Sequence, residues 1–181
     1  MQPNIILGKI LNSNSKYSDV KNIIYINKKI NKFNYKKIDI PGDKSLSVRF
    51  VILSSLAKGK SVAHNLLTSE DVISTIKCIR KFGINIKLKN NCCEVFGKGL
   101  NGYKYKDNIV LDAGNSGTAA RLLSGAIIDT SKNIIITGDS SLKKRDMTRI
   151  INPLKKIGII FKNNNGRLPL NIKGSNKLKP I

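Results

Sequence analysis

A chain of 181 residues with 40% hydrophobic content carries enough apolar side chains to bury a domain-sized core, which excludes an extended disordered protein. Thirty-three Lys and Arg against 11 Asp and Glu give +22, but the lysines are scattered among Asn and Ile without a nucleic-acid-binding module, so a solvated basic surface is expected and no nucleic-acid partner. Cys78, Cys92, Cys93 and the single His64 have neither disulfide nor metal-ligand spacing, and no segment approaches the ~18 apolar residues of a membrane span, so the chain reads as cytoplasmic, with no metal and no membrane association.

Residues 1–21 carry little periodicity and read as a leader, disordered in expectation. Residues 22–27 and 35–40 read as two short strands of a hairpin, spanning 22–40. Pro41-Gly42 breaks the extended run, and Leu46, Phe50, Leu53 and Ala57 then recur at helical spacing, predicting a helix from Lys44 or Ser45 to Gly59. A strand over 61–65 follows, then a helix over 70–82 with acids at its start, bases at its end and Gly83 as its stop, then strands over 84–88 and 92–96.

The order then recurs. Residues 108–112 read as a strand, 114–118 as a glycine loop, 119–128 as a helix, 133–137 as a strand, 146–157 as a helix, and 159–161 and 168–172 as strands. The run IRKFGINIKLKNN at 79–91 aligns with LKKIGIIFKNNN at 154–165, so two βαβαββ units are predicted, at about 41–100 and 101–181, in an α+β fold. Pro153 is awkward inside the last helix and predicts a kink or a later start.

Each unit opens with a strand, a tight glycine turn and a helix whose first amides face the turn, an arrangement that binds anions. In the first, Lys44 and Arg49 add charge and Ser45 and Ser47 add hydroxyls, with Ser45 and Arg49 on one helical face. The competing interpretation is a Ser45 N-cap flanked by two surface cations. The nucleotide P-loop does not fit, because Asp43 and Ile38 stand where that motif has glycines. In the second, Gly114 and Gly117 permit close backbone approach and Asn115 adds amide and carbonyl groups, although a simple strand-to-helix turn needs no ligand. A third basic stretch over 138–147 offers Arg145 as a planar fork for a carboxylate or phosphate, against the alternative of a solvated charge run.

Together, PGDKSLSVR at 41–49, LDAGNSGTAARLL at 111–123 and GDSSLKKRDMTRIINPL at 138–154 resemble the ordered motifs of the EPSP synthase family, the 3-phosphoshikimate 1-carboxyvinyltransferases. NLLTSED at 65–71 resembles the family's segment between the first two, and the order fits from residue 22 onward. The resemblance implies the enolpyruvyl transferase fold and transfer of the enolpyruvyl group of phosphoenolpyruvate to shikimate 3-phosphate, with release of phosphate. It implies that Lys44 meets both substrates, that Ser45 and Arg49 bind shikimate 3-phosphate, and that Gly117 and Arg145 line the phosphoenolpyruvate site with Asn115 beside them. No metal or organic cofactor is implied. The related UDP-N-acetylglucosamine enolpyruvyl transferases are less similar: they have a Lys-Asn pair where this chain has Lys44-Ser45, and a reactive cysteine in the loop matching 138–145. The three cysteines read instead as packing residues and His64 as structural.

Family members are more than twice this length, with two lobes of three units each. The resemblance therefore implies that the third unit's serine loop and the opposite lobe, with its catalytic carboxylate and lysine, are missing, and that no catalytic residue lies in this chain. Segment 22–39 is expected to pack on the missing lobe and to be loosely attached without it, and the isolated chain is expected to be inactive. A basic binding module on the same fold, without catalysis, is the alternative from another class.

Overall fold

The computed structural model describes residues 40–129, 132–162, 165–175 and 177–180, so the leader at 1–21 and the hairpin residues 22–39 lie outside the described part. Helix α1 (Lys44–Leu56) starts where Asp43 Oδ1 accepts the Leu46 amide at 2.7 Å. It buries Val48, Val51, Ile52, Ser54 and Ser55 and leaves Leu46 and Leu53 on its outer face.

The helix stops three residues short of the expected Gly59 because Ala57 turns extended. Residues 58–63 are instead claimed by strand β1 (Lys58–Ala63), which runs antiparallel to β3 (Cys92–Lys98), Lys58 opposite Lys98 and Ala63 opposite Cys93. The competing ladder satisfies backbone groups that another helical turn would also satisfy, and it aligns Val95 and Cys93 with the core.

Helix α2 (Glu70–Arg80) and strand β2 (Asn85–Lys89) complete this half, and the sheet order is β1-β3-β2. In the second half, β4 (Ile109–Asp112) pairs in parallel with β5 (Asn133–Thr137). β5 pairs antiparallel with β7 (Leu170–Lys173), which pairs with β6 (Ile160–Lys162). The order β4-β5-β7-β6 contains the pattern of the first sheet, β5-β7-β6 matching β1-β3-β2. The strand expected at 35–40, which would correspond to β4, falls largely outside the described residues.

Three helices connect these strands. α3 (Gly117–Ala126) starts two residues before the expected Ala119, because Ser116, not the glycine loop, caps it through Oγ to the Ala119 amide at 3.2 Å. The one-turn helix α4 (Ser140–Lys143) stands where the sequence suggested only a charged stretch, and Asp139 caps it. α5 (Thr148–Lys156) begins later than predicted, since the Asp146 carboxylate holds both the amide and hydroxyl of Thr148, at 3.0 and 2.6 Å. Pro153 lies inside α5 on its exposed side, where the missing amide leaves the Arg149 carbonyl without its helical bond.

The core runs unbroken through both halves. Val51, Ile76, Ile79, Phe82 and Val95 from the first meet Leu111, Leu123, Ile134, Ile136 and Ile172 from the second in one buried cluster, and α1 packs against both α2 and α3. Both glycine turns are thereby mounted on the same packed body.

Candidate functional site: two glycine turns over one helix

The first turn is built on close backbone approach. A Cβ on Gly42 would lie 2.1 Å from the Asn65 carbonyl oxygen, so only glycine lets the chain pass there. Asn65, itself at φ 56°, donates its side-chain amide to the Ile40 carbonyl at 2.8 Å. The buried Ser47 hydroxyl donates to the Asp43 carbonyl at 2.7 Å and accepts the Leu67 amide at 3.0 Å. Ser47 is thus a structural clamp between α1 and the 65–67 segment.

Asp43 corrects the cap assignment, since its carboxylate and not the Ser45 hydroxyl caps α1. Among the described residues the Ser45 hydroxyl and the exposed Arg49 guanidinium have no partner, and both stay available to a ligand. The same cap places a carboxylate on the helix start, so an anion at α1 must rely on side chains more than on the helix dipole. Lys44 pairs with Asp71 on α2, Nζ to Oδ2 2.9 Å.

The second turn is assembled around an arginine. Gly114, at φ +59°, donates its amide to Asp112 Oδ1 at 2.9 Å. Arg145 Nη2 donates to Asn115 Oδ1, and Asn115 Nδ2 donates to Asp139 Oδ2 at 2.6 Å. The other Asp139 oxygen accepts the Leu142 amide at 2.7 Å. This relay fixes Arg145 Nη1 over the start of α3, 3.2 Å from where a Cβ on Gly117 would stand. Ser116 takes the Ala119 amide, while the amides of Gly117 and Thr118, in the first turn, have no intrahelical acceptor.

The local field agrees with this wiring. Hydrogen bonds from the Leu142 amide and from Asn115, and more weakly the Arg145 charge, hold the Asp139 carboxyl below the usual aspartate range. The Thr148 hydroxyl and amide, with smaller contributions from Arg149 and Arg121, do the same for Asp146.

Asn115, Gly117 and Arg145 therefore meet in one cluster, and Lys44, Ser45 and Arg49 lie on the first two turns of α1. Helix α2 links the two groups: Asp71 holds Lys44, and one turn later Ser74 Oγ lies 2.9 Å from where a Cβ on Gly114 would be. Residues three apart share a helix face, so both turns rest on the same face of α2.

Ser74 was not legible in the sequence, and neither was Arg121, whose Nη1 also lies 3.2 Å from the Gly117 Cβ position. Its place four residues after Gly117 was the available signal.

The other reactive groups stand apart. Cys78 is buried on α2 and Cys93 on β3, and burial pushes their thiols up to about 12 and about 11. Cys92 is only half-buried, so it packs less fully than expected, and His64, expected to be structural, is exposed. Among the described residues no group of His, Cys, Asp and Glu is arranged to hold a metal, and no helix is long and apolar enough to cross a membrane.

Comparison with known proteins adds a consistent result. The family model for EPSP synthase (3-phosphoshikimate 1-carboxyvinyltransferase) matches residues 28–181. A 3-phosphoshikimate 1-carboxyvinyltransferase of Ruthia magnifica is 44% identical over 144 residues, covering 80% of this chain and 33% of that protein. One from Endomicrobium trichonymphae is 45% identical over 156 residues, covering 84% and 36%. Among solved structures, an EPSP synthase from Acinetobacter baumannii superimposes with a TM-score of 0.74 at 36% identity, over 80% of this chain and 33% of that one. The chain spans about a third of the length of these proteins.

Proposed function

The chain belongs to the EPSP synthase family, and from that premise we propose that it supplies one anion-binding wall of a site that transfers the enolpyruvyl group of phosphoenolpyruvate to shikimate 3-phosphate with release of phosphate. On this reading Lys44, Ser45 and Arg49 hold shikimate 3-phosphate. Lys44, Asn115, Gly117 and Arg145 hold phosphoenolpyruvate. The observation that carries it is the Asp139–Asn115–Arg145 relay, which holds a guanidinium beside Gly117 at the start of α3, where the Gly117 and Thr118 amides have no intrahelical acceptor.

Both substrates are anionic, and the wall contains cations, hydroxyls and amides suited to them. It contains no pair of groups arranged to deliver and remove a proton at a reacting carbon. Addition of the shikimate hydroxyl to the enolpyruvyl double bond and departure of phosphate need such groups, which on this reading come from the portion of the family's sequence that this chain does not match. What these residues do is hold the two substrates side by side and balance their negative charge.

The fold's other chemistry is less well supported. Lys44 is followed by Ser45, and no cysteine lies within 138–145, which favours the phosphoshikimate reaction over the UDP-sugar one.

Titration calorimetry of the 181-residue chain with each substrate tests the proposal. Arg49→Ala is expected to weaken shikimate 3-phosphate at least tenfold and Arg145→Gln to weaken phosphoenolpyruvate likewise, with no phosphate release at ordinary enzyme rates. Salt-sensitive anion binding that survives Lys44→Ala, Arg49→Ala and Arg145→Gln would replace it with a non-catalytic basic module.

A further inference from the structure

Helix α3 carries a second cation at the same spot as Arg145. Arg121 stands one helical turn beyond Gly117, and its Nη1 reaches the same 3.2 Å from the Gly117 Cβ position as does Arg145 Nη1. Its Nη2 donates to the Asp146 backbone carbonyl at 3.2 Å. Its Nε is shielded from solvent without a hydrogen-bond acceptor.

Two guanidinium groups converging on one glycine repel each other, and a buried donor without an acceptor is costly. Each is held from the outside, Arg145 by Asn115 and Arg121 by the carbonyl next to Arg145 in the chain. The bond from Arg121 to Asp146 therefore ties the segment that carries Arg145 to the helix that carries Gly117.

We propose that Arg121 is a positioning residue for Arg145: by anchoring the Asp146 carbonyl to α3 it holds the Arg145 guanidinium over the free amides at the start of that helix. Its own charge also raises the gain when an anion enters. The inference rests on the reading that this cluster takes the anionic groups of phosphoenolpyruvate. It is separable from that reading, because the position of Arg145 can be observed without any ligand.

The test uses the full 181-residue chain, its Arg121→Gln and Arg121→Lys variants, and Arg145→Gln to assign the Arg145 side-chain Nε–H resonance. Without ligand, Arg121→Gln is expected to shift or broaden that resonance, and Arg121→Lys to do so to a smaller extent. With phosphoenolpyruvate as probe, Arg121→Gln is expected to weaken binding about tenfold and Arg121→Lys several-fold, since an ammonium restores charge but not the planar fork.

An Arg145 resonance unchanged in both variants overturns the proposal, even if melting temperature falls, because a purely structural arginine alters stability without moving Arg145. If Arg121→Gln does not fold, Arg121→Lys decides on the same criterion. If the wild-type chain binds no phosphoenolpyruvate, the substrate reading fails while the resonance still decides the positioning role.

Discussion

Lys44 on the first turn of α1 and Asp71 on the first turn of α2 form an ion pair with 2.9 Å between Nζ and Oδ2. A lysine at a helix start is opposed by the dipole, whereas an aspartate there is favoured, so the pair relieves the first with the second. On the proposed reading, a phosphate that enters would share Lys44 with a carboxylate. Asp71→Asn should raise affinity for shikimate 3-phosphate several-fold at low salt, and Lys44→Met should lower it at least tenfold. Both changes should shift the melting temperature by only a few degrees, because a half-exposed pair is worth ~0.2–1 kcal/mol. Weaker binding by Asp71→Asn would show that Asp71 aims Lys44 instead of competing for it.

Gly42 and Gly117 should respond to alanine in different ways. At Gly42 the added methyl would stand 2.1 Å from a backbone oxygen, which can yield only by moving the chain. Gly42→Ala is expected to destabilise by more than about 2 kcal/mol in denaturant titration. At Gly117 the neighbours are two guanidinium ends at 3.2 Å, which can swing aside. Gly117→Ala should change stability by less than about 1 kcal/mol, because Gly117 is the first residue of α3, where alanine's helix-interior advantage does not apply in full, and the crowding is by side-chain ends. Displacing both arginines should weaken phosphoenolpyruvate binding about tenfold.

Asp139 sets an acid limit for the relay. Its folded-state value lies below the ordinary 3.8, so its contribution to stability is complete above that value and disappears only as pH falls through the lower folded one. The Asn115 side-chain amide signals should therefore hold constant from pH 7 to pH 5 and move only under stronger acid. Asp139→Ala should remove the cap of α4 and lower the melting temperature slightly. It should also release those signals at every pH.

The thiols titrate on the opposite side of neutrality. Burial raises the folded Cys78 and Cys93 values to about 12 and about 11, from an ordinary 9.0, so both stay protonated in the folded chain while the unfolded chain begins to ionise. The stability this gives is complete below about pH 9 and is lost as pH climbs toward the folded values. At pH 8 a disulfide reagent should modify half-buried Cys92 promptly and the other two only on unfolding. Prompt reaction of all three would contradict the packing described for α2 and β3.

Periodicity made the order of helices and strands readable, because Ile134 and Ile136 alternate inward in β5 and Val72, Ile76 and Ile79 line one side of α2. Helix ends were less legible, since the run to Gly59 looks helical until β3 is present to pair with Lys58 and Gly59. α4 escaped notice because four residues are too few to show a period, and its stabilising cap lies in Asp139, which reads as a loop acid. Lys44, Ser45, Arg49, Asn115, Gly117 and Arg145 could be picked out by residue type and order. Asp71, Ser74 and Arg121 could not be given their contacts, because those depend on which helix lies beneath which turn.

The support that α2 gives to the two turns also works as a spacer. Its contacts to Lys44 and to Gly114 are made by residues three apart, a rise of about 4.5 Å along the helix axis. Adding one residue between Asp71 and Ser74 would lengthen that step by only about 1.5 Å but would turn the second contact through roughly 100°, away from its glycine. The distance between the two glycine turns is therefore gauged by helical phase, and a change in α2 that spares every charged residue would still shift Lys44 and Gly114 relative to each other.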